Sequence, residues 1–443
     1  MKYKIILLSI LFLSFGMSKA QELWPLQKCI DYALENNIQI KQQSLGADYN
    51  QNMVNQAKSN KLPNLNGQLG NNYSFGRSLT YENTYENVNS TSLSGGIGTN
   101  ITLFNGFILK NTITQHELDL QASIQDLQKA KDDIILNIAA SYLEILFAEE
   151  LVLVSEANIE VTLQQINRTK QLVEAGSLAR GALLEIEAQL AREELQLVND
   201  QNRGQLAYLT LYQFLELPIA ESFTIEKPSL PEIKANVSIA NSFDVYKNAL
   251  NVRPEIRAAQ LRVESMQKQL EIAKGAKLPD LSFGANYYNN YNDNYKGFDG
   301  KLIPFGDQLK NNERFGFGFT LNIPIFNRHM VKNNISNAQL QVIDYEYRLQ
   351  SSANLLRKDI EQAFTNALAA LNRYVSSEKA VSSMEEAFRY TEEKYNVGMV
   401  NSVEYNQSKN NLTNAQSDLI QSKYEYIFRT KILDFYNGIP IEL

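Results

Sequence analysis

Apolar residues fall at alternate positions in four stretches of this chain. Leu65, Leu69, Tyr73 and Phe75 alternate with Asn66, Gln68, Asn72 and Ser74, and Leu93, Ile97, Ile101 and Leu103 alternate with Ser94, Gly96, Gly98 and Asn100. Later, Leu281, Phe283, Ala285, Tyr287 and Tyr291 alternate with Ser282, Gly284, Asn286 and Asn290. The strongest pattern sets Phe315, Phe317, Phe319, Leu321, Ile323 and Ile325 against Arg314, Gly316, Gly318, Thr320 and Asn322. A period of two predicts strands with one apolar face. Each is about 10 to 13 residues, long enough to cross a bilayer when tilted, with tyrosines toward one end as in an interfacial girdle. An ordinary sheet with one wet face fits the same alternation. The wet side of the fourth strand, however, is Gly, Gly, Thr and Asn, which suits a narrow polar lumen, and the chain offers no helix short enough to cover a small sheet. Four strands cannot close a membrane barrel, since the smallest have about eight, so other copies of the chain must supply the rest.

Elsewhere the spacing is seven. Ile138, Ile145, Val152, Ile159, Ile166 and Val173 form one row, with Ser141, Ala148, Ser155, Thr162 and Thr169 as a second row of small residues. Ile360, Ala367, Tyr374, Val381, Phe388 and Tyr395 repeat the pattern. A sustained seven-residue period predicts helices supercoiled side by side, and the small row lets backbones approach. Phe104 to Gly176 is 72 positions, on the order of 100 Å of helix. Gly176 and Gly398 are the predicted stops. Returning helices carry Leu183, Leu190, Leu197 and Leu211 in one case and Tyr405, Leu412, Leu419, Tyr426 and Leu433 in the other, each ending near Pro218 or Pro440.

These parts occur twice. "AKSNKLPNL" at 57–65 returns as "AKGAKLPDL" at 273–281, an offset of 216. "NITLFNG" at 100–106 then matches "NIPIFNR" at 322–328, and Gly176 matches Gly398, at an offset of 222. The six extra residues fall between Leu281 and Phe326. Each copy therefore runs helix, strand, strand, long helix, tip, return helix, and each "KLP" marks a helix handing over to a strand. The predicted organisation is a signal at 1–20, a first repeat at 21–218, a joining segment at 219–241 and a second repeat at 242–443.

The N-terminus adds a compartment. Lys2 and Lys4 precede the apolar run from Ile5 to Phe15, and Ser18 and Ala20 sit at small-residue positions before a cut at Gln21. Eleven apolar residues are too few for a membrane helix, which takes roughly 20. Without Lys2, Lys4 and Lys19 the formal charge moves from minus 7 to minus 10, and no Lys/Arg cluster offers a footprint for nucleic acid. Cys29 is the single cysteine, so no intramolecular disulfide forms, and it is not the first mature residue that lipidation would require. No later segment has the run of a membrane helix, which leaves membrane contact to the strands.

With these features the chain resembles the TolC family of outer-membrane efflux proteins. The resemblance is carried by "LQKCIDYALENN" at 26–37, the two "KLP" junctions, "LFNG" at 103–106 with "IFNR" at 325–328, and the tips "EAGSLARGALLE" and "NVGMVNSVEYNQ". It covers essentially the whole mature chain, through order and spacing rather than any single motif. It implies a mainly α fold with membrane β: a homotrimer whose protomers give four strands each to a 12-stranded barrel in outer-membrane lipid, continuous with an α-helical tunnel through the periplasm. It implies docking onto an inner-membrane transporter through a periplasmic adaptor, and no cofactor. Gly176 with Leu178, and Gly398 with Val400, fall on the tip motif where adaptor hairpins bind. Glu404 falls where relatives carry an acid at the entrance, Glu185 lies one turn further along in the first copy, and Tyr395 belongs to the same constriction. Gln407 holds the place matching Glu185, which would interrupt a second acidic ring, and Val400 stands where a basic latch residue can occur. Three copies of an acid would form a ring favouring cations. Taken by itself, Glu404 also reads as a solvated helix-face charge.

Other readings are weaker. His116 and His329 are the only histidines, without Cys or acidic partners at ligand spacing, and no nucleophile constellation or phosphate loop is present. A trimeric coiled-coil surface protein with a small anchoring barrel would need one strand set and a single stalk, whereas here strands lie between helices in both halves. A periplasmic adaptor would carry one hairpin and compact β domains.

Overall fold

The computed structural model describes residues 23–79, 83–218, 223–229, 233 and 240–442. The expected signal at 1–20 lies outside them, as does much of 219–241. Among the described residues the order is β1 (Leu23–Trp24), α1 (Leu26–Asn36), α2 (Ile38–Ser59), β2 (Asn64–Ser74), β3 (Arg77–Leu79), β4 (Tyr85–Asn87), β5 (Ser90–Asn105), α3 (Ile108–Glu174), α4 (Arg180–Leu215), β6 (Thr224–Ile225), α5 (Ser242–Val252), α6 (Pro254–Gly275), β7 (Asp280–Asn292), α7 (Phe305–Asn311), β8 (Arg314–Asn322), α8 (Met330–Asn396) and α9 (Ser402–Tyr436). Helices α3 and α8 are both 67 residues long, and both ends of α8 lie 222 positions beyond those of α3, as the repeat predicts. The chain forms two compact units, each drawing on both sequence copies: residues 46–124 with 258–350, and residues up to 45 with 125–257 and 351 onward.

The first unit holds a four-stranded antiparallel sheet in the order β2-β5-β7-β8. Its register brings the alternations into line. Leu93 faces Tyr291, Ile97 faces Tyr287 and Ile101 faces Phe283, while Leu281, Phe283, Ala285 and Tyr287 face Leu321, Phe319, Phe317 and Phe315. Because directly opposed residues share a face, one side of the sheet is aliphatic and aromatic. The other pairs Asn64 with Asn100, Asn66 with Gly98, Asn286 with Gly98 and Gly316, and Ser282 with Thr320. Much of the apolar side is uncovered: Phe315, Phe317 and Phe319 are 72%, 70% and 67% exposed, and Leu65, Leu69, Tyr73 and Ile97 are also open.

Three sequence expectations change here. The register shifts between Thr102 and Phe104, so Phe104 rather than Leu103 stands opposite Leu281. Leu103 is the extra residue of a β-bulge, which simple alternation cannot anticipate. β8 stops at Asn322, short of Ile325, because Pro324 has no N–H to give to a ladder. A short helix does exist, α7, in the β7–β8 connection. Pro304 opens it, and Gln308 is buried beneath it with three hydrogen bonds to the Asn292 backbone and the Ile303 carbonyl.

At the opposite end of the sheet from this connection, every strand joins a helix. β5 passes to α3 through two consecutive left-handed residues, Gly106 and Phe107, and the second copy uses Arg328 and His329 in the equivalent places. Glycine is required only at the first. A Cβ on Gly106 would lie 2.3 Å from the Gly275 carbonyl oxygen, where the junction crosses the end of α6. We expect Gly106→Ala to cost more than the ~1–2 kcal/mol of a left-handed residue alone, read as a lower yield of folded protein. Gly318→Ala, where a Cβ meets nothing within 4 Å, should be silent, and equal behaviour of the two would contradict the close crossing.

The second unit is helical. Its largest core cluster gathers Trp24, Cys29, Ile30 and Ala33 from the N-terminal segment, Ile134, Ile138, Tyr142 and Ile145 from α3, and Leu211 and Leu215 from α4. The segment joining the repeats takes part: β6 pairs in parallel with β1, and Phe223 packs its ring on Trp24 and Tyr212 at 5.0 and 4.9 Å. The Tyr142 hydroxyl donates to the Glu226 carbonyl at 2.5 Å, pinning this segment to α3. Burial pushes the Cys29 thiol from 9.0 up to about 12. Its thiolate therefore forms more easily in the unfolded chain, and stability should fall as pH rises from 9 toward 12. Maleimide at neutral pH should label Cys29 only after denaturation; labelling of the folded protein would contradict this packing.

Of the two seven-residue rows on α3, the small one is the more deeply buried. Ser141, Ala148, Ser155, Thr162 and Thr169 are all buried, whereas of the aliphatic row only Ile138 and Ile145 are, and Val152, Ile159, Ile166 and Val173 are half-exposed. Ser155 and Thr162 meet the Asp200 and Glu193 side chains of α4, and past Ile145 the aliphatic row is left for other surfaces.

Candidate functional site

The two helical hairpins end in the same turn. α3 stops at Glu174 and Gly176 takes φ +74°; its N–H donates to the Val173 carbonyl and the Ser177 N–H to the Leu172 carbonyl, at 3.0 and 2.8 Å. α8 stops at Asn396 and Gly398 takes φ +78°; its N–H donates to the Tyr395 carbonyl and the Met399 N–H to the Lys394 carbonyl, at 3.1 and 2.9 Å. This pair of bonds is the Schellman motif, which satisfies the last helical carbonyls and favours glycine at the left-handed position. Both predicted stops are thus found. α9 restarts under a side-chain cap, the Asn401 carboxamide accepting from the Glu404 N–H at 2.9 Å, a contribution of about 1 kcal/mol.

The remaining residues singled out in the sequence divide. Leu178 is partly exposed and Val400 half-buried beside the two glycines. Glu404 is exposed in the first turn of α9, a position favoured for an acid by the helix dipole. Glu185 is held: it accepts a hydrogen bond from the Ser402 hydroxyl, tying the start of α4 to the start of α9. Tyr395 stacks on Tyr405 with ring centroids 4.8 Å apart, and Phe388 adds a third ring at 5.4 Å. No basic residue stands at Val400, but Arg168 of α3 donates to the Asn396 side chain at the end of α8.

Sequence reasoning missed the polar cluster two turns behind the tips. Lys409 has a side chain only 4% exposed. Its three N–H donors reach the Asn158 carbonyl at 2.7 Å, the Glu193 carboxylate at 2.9 Å and the Thr162 hydroxyl. Thr162 in turn donates to Glu193 at 2.6 Å. Gln189, also buried, donates to Glu193 and to Asn410 at 3.0 and 2.8 Å, and accepts from Arg192. One rung further from the tip, Ser155 donates to Asp200 at 2.6 Å. Desolvation lowers the Lys409 pKa, opposed by the Glu193 hydrogen bond and charge. The only signal in the sequence was the small row itself, since Ser155 and Thr162 are both on it.

These groups bind helices to one another. α3, α4 and α9 meet at Lys409, and hairpin meets hairpin again at Ser402 and at Arg168. Elsewhere, His116 does have an acidic neighbour, Asp119 at 4.0 Å one turn along, which the sequence reading overlooked. No group of three or more His, Cys, Asp or Glu able to hold a metal occurs among the described residues.

A family model described as outer membrane efflux protein matches the chain twice, over residues 29–215 and 245–431. The chain belongs to the outer membrane efflux protein family. This efflux protein is 24% identical over 428 residues to the outer membrane protein TolC of Escherichia coli, covering 93% of this chain and 82% of that one. It is 22% identical over 413 residues to a toxin and drug export protein A of Aggregatibacter actinomycetemcomitans, covering 91% and 83%. In fold it is similar to the Campylobacter jejuni CmeC outer membrane channel, with a TM-score of 0.77 at 17% identity over 94% of this chain and 86% of that one. The resemblance read from the junctions and tips is borne out. The protein is an outer-membrane channel component of efflux, in a family of transport channels rather than enzymes.

Proposed function

We propose that three copies assemble into a passive exit duct. Their four-stranded sheets close a 12-stranded barrel, and their helical hairpins extend into the periplasm to meet a periplasmic adaptor and, through it, an inner-membrane transporter. On this reading residues 1–20 are removed on export, 21–218 and 242–443 are two repeats of one unit, and 219–241 joins them. The observation that carries the proposal is the register of the sheet. It sets every apolar row on one exposed face and a predominance of amides, hydroxyls and glycines on the other, and each of β2 and β8 has a neighbour on one side only. An apolar outside and polar inside is the pattern of a membrane barrel, and unpaired edges in lipid must be satisfied by another chain.

The tips are the proposed periplasmic end, with Gly176, Leu178, Gly398 and Val400 meeting the adaptor and Glu404 lining the entrance. Glu185 takes part there through Ser402, and Tyr395 through its stack on Tyr405. The names of relatives, which include a toxin and drug export protein and a proteases secretion protein of Dickeya chrysanthemi, fit a duct whose cargo is chosen by the transporter. Planar-bilayer recording of the purified protein tests this: discrete conductance from a trimer is expected, and a monomer that never conducts would refute it. In the same assay Glu404→Ala should weaken cation selectivity; unchanged selectivity would make Glu404 a surface charge only.

A further inference from the structure

Helix α7 lies against the apolar face of the sheet. The Phe305 ring meets Tyr291 at 4.9 Å, and the Asn289 side chain donates to the Leu309 carbonyl at 2.7 Å; Tyr291 and Asn289 are on the same face of β7 as Phe283 and Tyr287. Buried Gln308 fixes the helix in place through its bonds to Asn292 and Ile303. Beside the helix the apolar surface sinks. Gly67 and Gly95, facing Ile97 and Leu69 across the ladder, occupy this face without side chains. The result is a groove of about 550 Å³ walled by Leu69, Leu93, Ile97, Tyr287, Phe305 and Leu309.

We infer that this groove holds one acyl chain of a membrane lipid in the outward-facing leaflet. The inference rests on the proposal that the apolar face meets lipid. The groove is continuous with that face, and its walls are mostly hydrocarbon; the Asn289 amide in its lining is already engaged with the Leu309 carbonyl, so an aqueous solute finds few polar partners. It is long in the strand direction: Leu93 to Ile97 alone is about 14 Å at the usual rise, which fits a hydrocarbon tail better than a compact ligand. α7 belongs to the connection at the end of the sheet away from the helices, which places the groove in the leaflet remote from the periplasm. A tail against the flat face beside Phe317 touches protein on one side. Here the glycine floor, the strand side chains and the flank of α7 meet it on more than one side, so more apolar surface leaves contact with mobile lipid and the chain exchanges more slowly.

The test is photo-crosslinking with full-length protein reconstituted in vesicles containing a phosphatidylglycerol that carries a diazirine in one acyl chain, followed by peptide mapping. Adducts should be several-fold enriched on peptides containing residues 67–69 and 305–309 relative to 315–319. Gly67→Ile fills the groove at a position where a Cβ meets nothing within 4 Å, and should remove that enrichment while leaving labelling of 315–319 unchanged. Phe305→Ala, which opens the wall without touching a strand, should reduce it too. Even labelling of all apolar rows, or enrichment that survives both substitutions, would overturn the lipid site while leaving the membrane barrel standing. Absence of adducts from every strand would overturn the barrel as well.

Discussion

Phe317→Lys is expected to prevent stable insertion of the protein into bilayers. Phe317 is 70% exposed at the middle of β8, opposite Ala285, on the face proposed to meet lipid. A lysine near the midplane of a barrel costs about 2–4 kcal/mol per site, and a trimer carries the change three times over. The measurement is the fraction of heat-modifiable folded oligomer recovered after refolding into vesicles. Thr320→Lys, further along the same strand but on its polar face, opposite Ser282, is the control and should insert normally. If both variants insert equally well, the apolar face is not in lipid and the duct proposal fails with it.

The second large effect is expected at Lys409. Lys409→Met removes the cation and leaves the Glu193 carboxylate buried with only Thr162 and Gln189 to hold it. Breaking a buried pair from one side typically costs about 3–5 kcal/mol, whereas replacing both partners by well-packed apolar residues is often neutral or better. Lys409→Met should therefore lower the thermal midpoint of the helical unit strongly, and Lys409→Met with Glu193→Leu should recover much of the loss. The ammonium also joins the two hairpins, so the single variant should loosen the tip and raise conductance in planar bilayers. A midpoint and conductance equal to the parent's would show that the cluster is not a tie between hairpins. Non-additivity in the double variant is itself informative, because it measures coupling within one network.

The long helices and strands were legible in the sequence because their signals are periodic and local. Period two and period seven each report which side of an element is apolar, and the repeat checked the reading once more: α8 begins and ends where α3 does, 222 positions on. The glycine stops were legible for a similar reason, since a left-handed residue after a helix is a local requirement. The site was less so. Glu404 and Glu185 both look like exposed helix acids in the chain and both are exposed, yet Glu185 accepts from Ser402, 217 residues away. Lys409 gave no warning, because a lysine between Tyr405 and Leu412 is ordinary on a helix surface and becomes a buried tie only when α3 and α4 close over it.

By itself, then, the sequence determined the inventory: four long alternating strands, two long helices of matched length, two glycine turns, and their duplication. Periodicity is a property of single elements, so no partner was needed to read it. Tertiary structure alone decided which rows were used. It buried Ser155 and Thr162 rather than Ile159 and Ile166, exchanged Leu103 for Phe104 at the bulge, and laid α7 on the apolar face. It also made Gly106 obligatory where Arg328 serves in the other copy. Each of those outcomes depends on the distance between backbones that are remote in the chain, and that distance is set by packing rather than by any local pattern.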